Sequence, residues 1–278
     1  MQEAVQGKLT KQNPTDEPAT ELLKRIKAEK EKRVKAGKLK KEKELALITE
    51  DEILFQLPKG WVWCRLRDVA LFSEAGKSFQ CSDRPITGHE WGIIKMSAIS
   101  SGTFKESENK FFKEAFNEEQ VYKIQSGDLL FARASGSKEL TGISCIVKSI
   151  KANLLLNDKT IRFRFPHYVQ VDFINFWNNC SFGRNYYDMI MGSKTTTMNN
   201  ITREQFNNLP TPLPPLAEQQ RIVAKVQQLQ HQLSQLEAQV QQSRQYAQQL
   251  LQMVLKEAFA NKEKAYEEED VLTMAAEE

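Results

Sequence analysis

The chain has 278 residues, 40% hydrophobic and 27% charged, with a formal net charge of +3. That supplies enough apolar material for one large or two small cores, but no apolar run approaches the roughly 18 residues of a membrane span. The four cysteines are scattered without a C-x-x-C and there are three histidines, which argues against a zinc site, a disulfide framework and secretion, and for free thiols in a cytoplasmic protein.

Residues 1–50 are charged and lysine-rich. DEPATELLKRIKAEKEKRVKAG predicts a helix, with Pro18 near its first turn, acids early, bases late and Gly37 as the stop. Its apolar stripe of Leu22, Leu23 and Ile26 is short, so only the first turns have a face to bury. Residues 24–43 hold 11 Lys or Arg against 3 Glu. Such a run reads as a solvated helix face, or more sharply as a contact for phosphates.

Residues 51–213 hold all four cysteines, all four tryptophans and every glycine except Gly7 and Gly37. WVWCRL, WGIIKM, GDLLFARA, TGISCIVKSI and KTIRFRF predict strands between turn-formers. VQVDFINFWNNCSFGRNYYDMIMG predicts a helical stretch ending at Gly192. This is a mixed α/β domain and holds the main core.

LPTPLPPLAEQQRIVAKV follows, with prolines at 210, 212, 214 and 215 and then 63 residues free of proline and glycine. The first three favour a stiff extended segment, and Pro215 suits the first turn of a helix. Ile222, Val226, Leu229, Leu233, Leu236, Val240, Ser243, Ala247, Leu250 and Val254 then alternate in steps of four and three. That is a coiled-coil heptad. At 1.5 Å per residue its helix runs about 69 Å. His231 faces solvent on it. The fold class is therefore α+β, made of a short N-terminal helical segment (1–50), a mixed α/β domain (51–213) and a long helix (214–278) ending in an acidic tail.

No set of residues assembles an active site. EAGKS at 74–78 lacks the first glycine of a phosphate-binding loop, Leu71 standing there. G-x-G-x-x-G, G-x-S-x-G and an Asn-Pro-Pro-aromatic tetrapeptide are all missing. The chain reads as a binder rather than an enzyme, with no catalytic residues, no metal site and no cofactor of its own.

Three loop segments combine basic and small polar residues: EAGKSFQCSDR, FARASGSKEL and GSKTTTMNN. Lys and Arg hold phosphates, Arg also grips guanine, and Asn or Gln grips adenine. The same residues also serve ordinary turns. The candidates for contact with double-stranded DNA are Lys77, Arg84, Arg133, Ser135, Lys138, Lys194, Thr195, Thr197 and Asn199. Lys77 and Lys194 would set affinity, and Arg133 would read a base.

LPKGWVWCRL, GDLLFARASGS and NNITREQFNNLPTPLPPLAEQQRIVAKV, in this order, resemble the specificity subunits of type I restriction-modification systems. QGKLTKQNPTDEPATELLKRIKAEKEK resembles the segment that follows a spacer helix in that family. The resemblance covers nearly the whole chain, and the junction from prolines to helix is its most specific part. It implies a target-recognition domain at 51–213 that reads DNA without catalysis, and helices that dock methyltransferase and restriction subunits. S-adenosylmethionine and ATP would belong to those partners.

The family usually carries two recognition domains and two spacer helices, where this chain has one of each. MQEAVQGK at the start resembles LKEAFANK at 255–262, which suggests the tails of two spacer repeats. The expectation is a half-length form that dimerises through Val226, Leu229, Leu233, Leu236, Val240 and Leu250. An antiparallel pair would carry one reader at each end and bind a bipartite palindrome. The alternative is a structural or regulatory coiled-coil protein that binds DNA or protein without an enzyme partner.

Overall fold

The computed structural model describes residues 1–43, 45–113, 119–192 and 199–275, with the backbone alone described at 119–120, 258 and 260–275. In chain order the elements are α1 (Gln2–Val5), α2 (Ala19–Lys35), β1 (Val62–Arg65), α3 (Leu66–Val69), β2 (Phe72–Ala75) and β3 (Cys81–Ser82). Then come β4 (Trp91–Ile94), β5 (Asn109–Phe112), α4 (Glu119–Tyr122), β6 (Leu129–Ala132), β7 (Ala134–Ser135), β8 (Ser144–Ile146), β9 (Asn153–Leu155) and β10 (Thr160–Arg164). The chain closes with α5 (Val171–Asn179), α6 (Ser181–Met191), β11 (Asn199–Asn200), α7 (Arg203–Asn207), β12 (Pro210–Leu213) and α8 (Leu216–Ala275). It divides into two units, Met1–Val226 and Gln227–Glu278.

Each of the five predicted strand segments contains a strand, and GDLLFARA explains the layering. Its β6 is buried at every position and lies inside the antiparallel sheet ordered β2-β10-β6-β8. Successive side chains of a strand point to opposite faces. Leu129 and Phe131 accordingly join Ile161, Phe163 and Trp177 in the larger core. Leu130 and Ala132 join Cys145, Leu154 and Leu156 in a second. A continuous apolar run is what a strand covered on both faces requires. A further sheet, β3-β5-β4-β9, pairs β4 with β9 in parallel and its other strands antiparallel.

The helical stretch 169–192 is two helices rather than one, broken at Cys180, whose backbone is extended (φ −75°, ψ 167°). Side-chain demands explain the break. The Asn179 amide accepts from Ser144 N (2.9 Å) and donates to Ser144 O (2.8 Å), fixing the end of α5 on β8. α6 then starts against that end, where a Cβ on Gly183 would lie 2.5 Å from Trp177 O. The Trp177 indole is buried and donates to Pro210 O (2.9 Å).

α2 runs from Ala19, after Pro18, to Lys35, with Gly37 beyond it at φ +68°. Its Ala19, Leu22 and Ile26 are buried in the larger core and Leu23 packs on it. Lys30 Nζ donates to Arg67 O (2.8 Å), so its stem and head both stay on the protein. Lys27, Lys32 and Lys35 on α2, and Lys38, Lys40, Lys41 and Lys43 beyond it, are exposed, with no ion pair among the described residues.

The proline segment forms strand β12, paired antiparallel with β1. The Leu66 N–H donates to Leu209 O (2.9 Å). The two-residue period of the ladder then places Pro210 and Pro212, opposite Arg65 and Trp63, at positions that need no N–H. Pro215 caps α8 rather than entering it, its carbonyl accepting from Glu218 N and Gln219 N (both 2.9 Å). Glu218 is fully buried and accepts from Gln12 Nε2 (2.6 Å) and Trp61 Nε1 (2.8 Å), and burial pushes its pKa up.

Arg65 ties the entry of the domain to its exit. Its guanidinium grips Glu52 through two bonds (2.6 and 2.7 Å) and donates to Asn208 O (2.9 Å). The Arg65 hydrogen bonds hold the Glu52 pKa down at about 2. A depressed carboxylate stabilises the fold above its unfolded pKa and loses that contribution as pH falls through the folded one. The stability gap between the unaltered protein and Glu52→Gln, read from urea unfolding, is therefore expected to narrow from about pH 5 to about pH 2.

Candidate nucleic-acid interface

One end of the β2-β10-β6-β8 sheet collects the loops. The turn before β10 is built by Asn157, whose Oδ1 accepts from Lys159 N (3.0 Å) and Thr160 Oγ1 (2.6 Å). That is an Asx-turn. The chain leaving β2 passes so close that a Cβ on Gly76 would lie 2.0 Å from Asn157 O. Lys77 then bridges Asn157, and Gly76 N donates to Thr160 O (3.0 Å). On the other side Arg133 N donates to Lys159 O (2.7 Å).

Past Arg133 the short strand β7 pairs with β11, placing Ser135 opposite Asn199. Ile201 N donates to Arg133 O (2.9 Å), and Arg133 Nε donates to Asn200 Oδ1 (3.2 Å). Lys77, Arg133, Ser135, Lys159 and Asn199 thus come together from four chain segments. Lys138 belongs to the same neighbourhood, its Nζ near Asp188 Oδ1 (3.7 Å) and donating to Gly192 O (3.3 Å).

Arg84 lies elsewhere, in the segment that packs on β5. It makes a two-bond pair with Glu90 (2.8 and 2.8 Å) and stacks 3.8 Å from the centre of the Phe111 ring. The Arg84 hydrogen bond holds the Glu90 pKa down at about 2. Lys194, Thr195 and Thr197 lie outside the described residues. Lys159 is the residue the sequence reading missed, because KTIRFRF reads as strand from its first letter. The signal was the preceding Asn-Asp, which starts a turn and leaves the lysine on it.

Such a group of cations, a hydroxyl and an amide can hold phosphate oxygens and address base edges. Among the described residues no group of three or more His, Cys, Asp or Glu is placed to hold a metal ion. No helix among them is long and apolar enough to cross a membrane.

Of the heptad positions, Ile222 and Val226 are spent inside the first unit, buried in the larger core beside Leu22 and Ile26. Val226 is 5% exposed there, because the domain core reaches about three turns along α8. The exposed seam starts at Leu229 and continues through Leu233, Leu236, Val240 and Leu250, each more than 40% exposed.

The sequence profile of the family described as "Type I restriction modification DNA specificity domain" matches residues 58–243. The chain belongs to this family. It is 35% identical over 229 residues to the specificity subunit of the type I restriction enzyme EcoEI of Escherichia coli, covering 82% of this chain and 38% of that protein. It is 32% identical over 256 residues to the EcoAI specificity subunit of the same species, covering 91% of this chain and 42% of that one. It thus spans about two fifths of the length of these family members. The crystal structure of the HsdS subunit from Thermoanaerobacter tengcongensis aligns at 19% identity and a TM-score of 0.46, over 78% of this chain and 49% of that one.

Proposed function

We propose that the chain is a non-catalytic, sequence-specific DNA-recognition subunit of a type I restriction-modification system. The gathering of Lys77, Arg133, Ser135, Lys159 and Asn199 at one sheet end, in a chain of this family, carries the reading. Residues 51–213 act as the target-recognition domain, and residues 214–278 as a spacer that pairs with another helix as a coiled coil. Lys138, Lys194, Thr195 and Thr197 extend the DNA surface. Arg84, already paired with Glu90, contributes to it least.

Methyltransferase and restriction subunits are the enzyme partners, and S-adenosylmethionine and ATP bind to them. Two copies associate antiparallel through Leu229, Leu233, Leu236, Val240 and Leu250. The pair reads two inverted half-sites separated by an unread spacer of at most roughly two DNA turns of about 34 Å.

Arg133→Ala is expected to lose about 1–3 kcal/mol of discrimination at one base pair, the value of a bidentate contact. Lys77→Ala instead weakens all duplexes alike and lowers the salt slope by about 1. Fluorescence anisotropy with target and scrambled duplexes at several salt concentrations measures both. If neither variant changes DNA binding, the interface is misplaced. Purification with an untagged methyltransferase subunit tests the partner, and failure to retain it favours the regulatory coiled-coil reading.

A further inference from the structure

One helix holds the turn that follows Ser135. Arg184, on α6, sends Nη2 to the carbonyls of Thr141 (2.7 Å), Glu139 (3.0 Å) and Lys138 (3.4 Å), more than 40 residues away in sequence. Its Nη1 is buried and has no partner among the described residues. The neighbouring positions of α6 serve the same turn. Tyr187 packs under Gly142, where a Cβ would meet the ring at 2.6 Å, and Asp188 faces Lys138 at 3.7 Å.

Gly142 takes φ +84° and its carbonyl accepts from Asn178 Nδ2 (2.8 Å). Within the turn, Thr141 Oγ1 donates to Ser137 O (2.9 Å) and Ser137 N donates to Ser135 Oγ (3.1 Å). Positions 184, 187 and 188 share one helical face by their spacing. That face is a cradle for residues 137–142.

We infer that Arg184 is a specificity-positioning residue, which fixes the 137–141 turn so that Ser135 and Lys138 meet the duplex in a single geometry. The inference rests on the DNA-reading function proposed above. Reading a base edge needs its contacting groups held within about 0.5 Å by neighbours that are themselves locked. Three carbonyls converging on one guanidinium supply that lock. A lysine there keeps the charge but lacks the planar fork that reaches several acceptors.

The test uses the full chain and a duplex selected by it from a randomised library, against a scrambled duplex of equal composition. Arg184→Lys and Arg184→Met are both expected to lower the ratio of the two affinities about tenfold or more, the scale of a lost base contact. Affinity for the scrambled duplex and its salt slope stay unchanged, and the thermal midpoint falls by a few degrees at most. If Arg184→Met lowers the salt slope by about 1 and Arg184→Lys does not, Arg184 touches a phosphate and the positioning role is wrong. If Arg184→Met fails to fold, Arg184→Lys decides. An unchanged ratio, or a fall in both affinities together with the thermal midpoint, overturns the inference while leaving DNA reading intact. A library from which the unaltered chain selects nothing overturns the reading beneath it, and this inference with it.

Discussion

A chain carrying Leu233→Asp and Leu236→Asp is expected to sediment as a monomer at micromolar concentration, where the unaltered chain sediments as a dimer. Both leucines stand more than half exposed on α8, four-three spaced with Leu229 and Val240. Burying each against a partner helix is worth about 1.5–3 kcal/mol. The substitution removes that gain and puts carboxylates in the seam, so association weakens by several orders of magnitude. The domain itself stays folded, because both positions lie in the unit Gln227–Glu278, outside its core. Val226→Asp has a different outcome. Val226 is 5% exposed inside the larger core, so a charge there unfolds the domain before any question of pairing arises. A monomeric unaltered chain would remove the dimer from the account.

Asp128→Ala is expected to cost about 3–5 kcal/mol of stability. Asp128 is fully buried, accepts from Gln125 N (2.8 Å) and from Arg164 Nε (2.8 Å), and faces Arg162 Nη1 at 3.4 Å. Arg162 is itself 2% exposed on β10 and pairs also with Glu74, while donating to Lys123 O (2.6 Å) and Val121 O (2.7 Å). Removing the carboxylate leaves cationic side chains in a low-dielectric interior with part of their compensation gone. The cost comes from that uncompensated charge more than from the bonds lost. The double variant Asp128→Ala with Arg162→Met should therefore recover part of the loss in urea unfolding. Simple addition of the two single effects would contradict this coupling.

The order of elements was legible in the sequence because its punctuation is local. Pro18 and Gly37 bound α2, and Pro214 and Pro215 separate β12 from α8. Buried strands such as LLFA announce themselves as unbroken apolar runs. What was not legible depends on groups distant in sequence. The break at Cys180 follows from Asn179 binding Ser144, 35 residues away. Val226 joins the domain core together with Ile222 and Val223, and a heptad pattern cannot tell an intramolecular neighbour from a partner.

The candidate interface divides in the same way. Arg133, Ser135 and Asn199 were identifiable as polar residues beside turn-formers, and a two-residue strand pair joins them. Lys159 was hidden because a strand pattern began at it. Arg84 lies outside this group, paired with Glu90 six positions on.

The most direct test is to map the adenine methylation produced when this chain is expressed with the methyltransferase subunit proposed as its partner, as the sole modification system of a cell. The expected result is one interrupted palindrome with two identical half-sites, lost when Leu233→Asp and Leu236→Asp are introduced together. Methylation at an asymmetric target, or a target unchanged by those two substitutions, would contradict antiparallel pairing through α8.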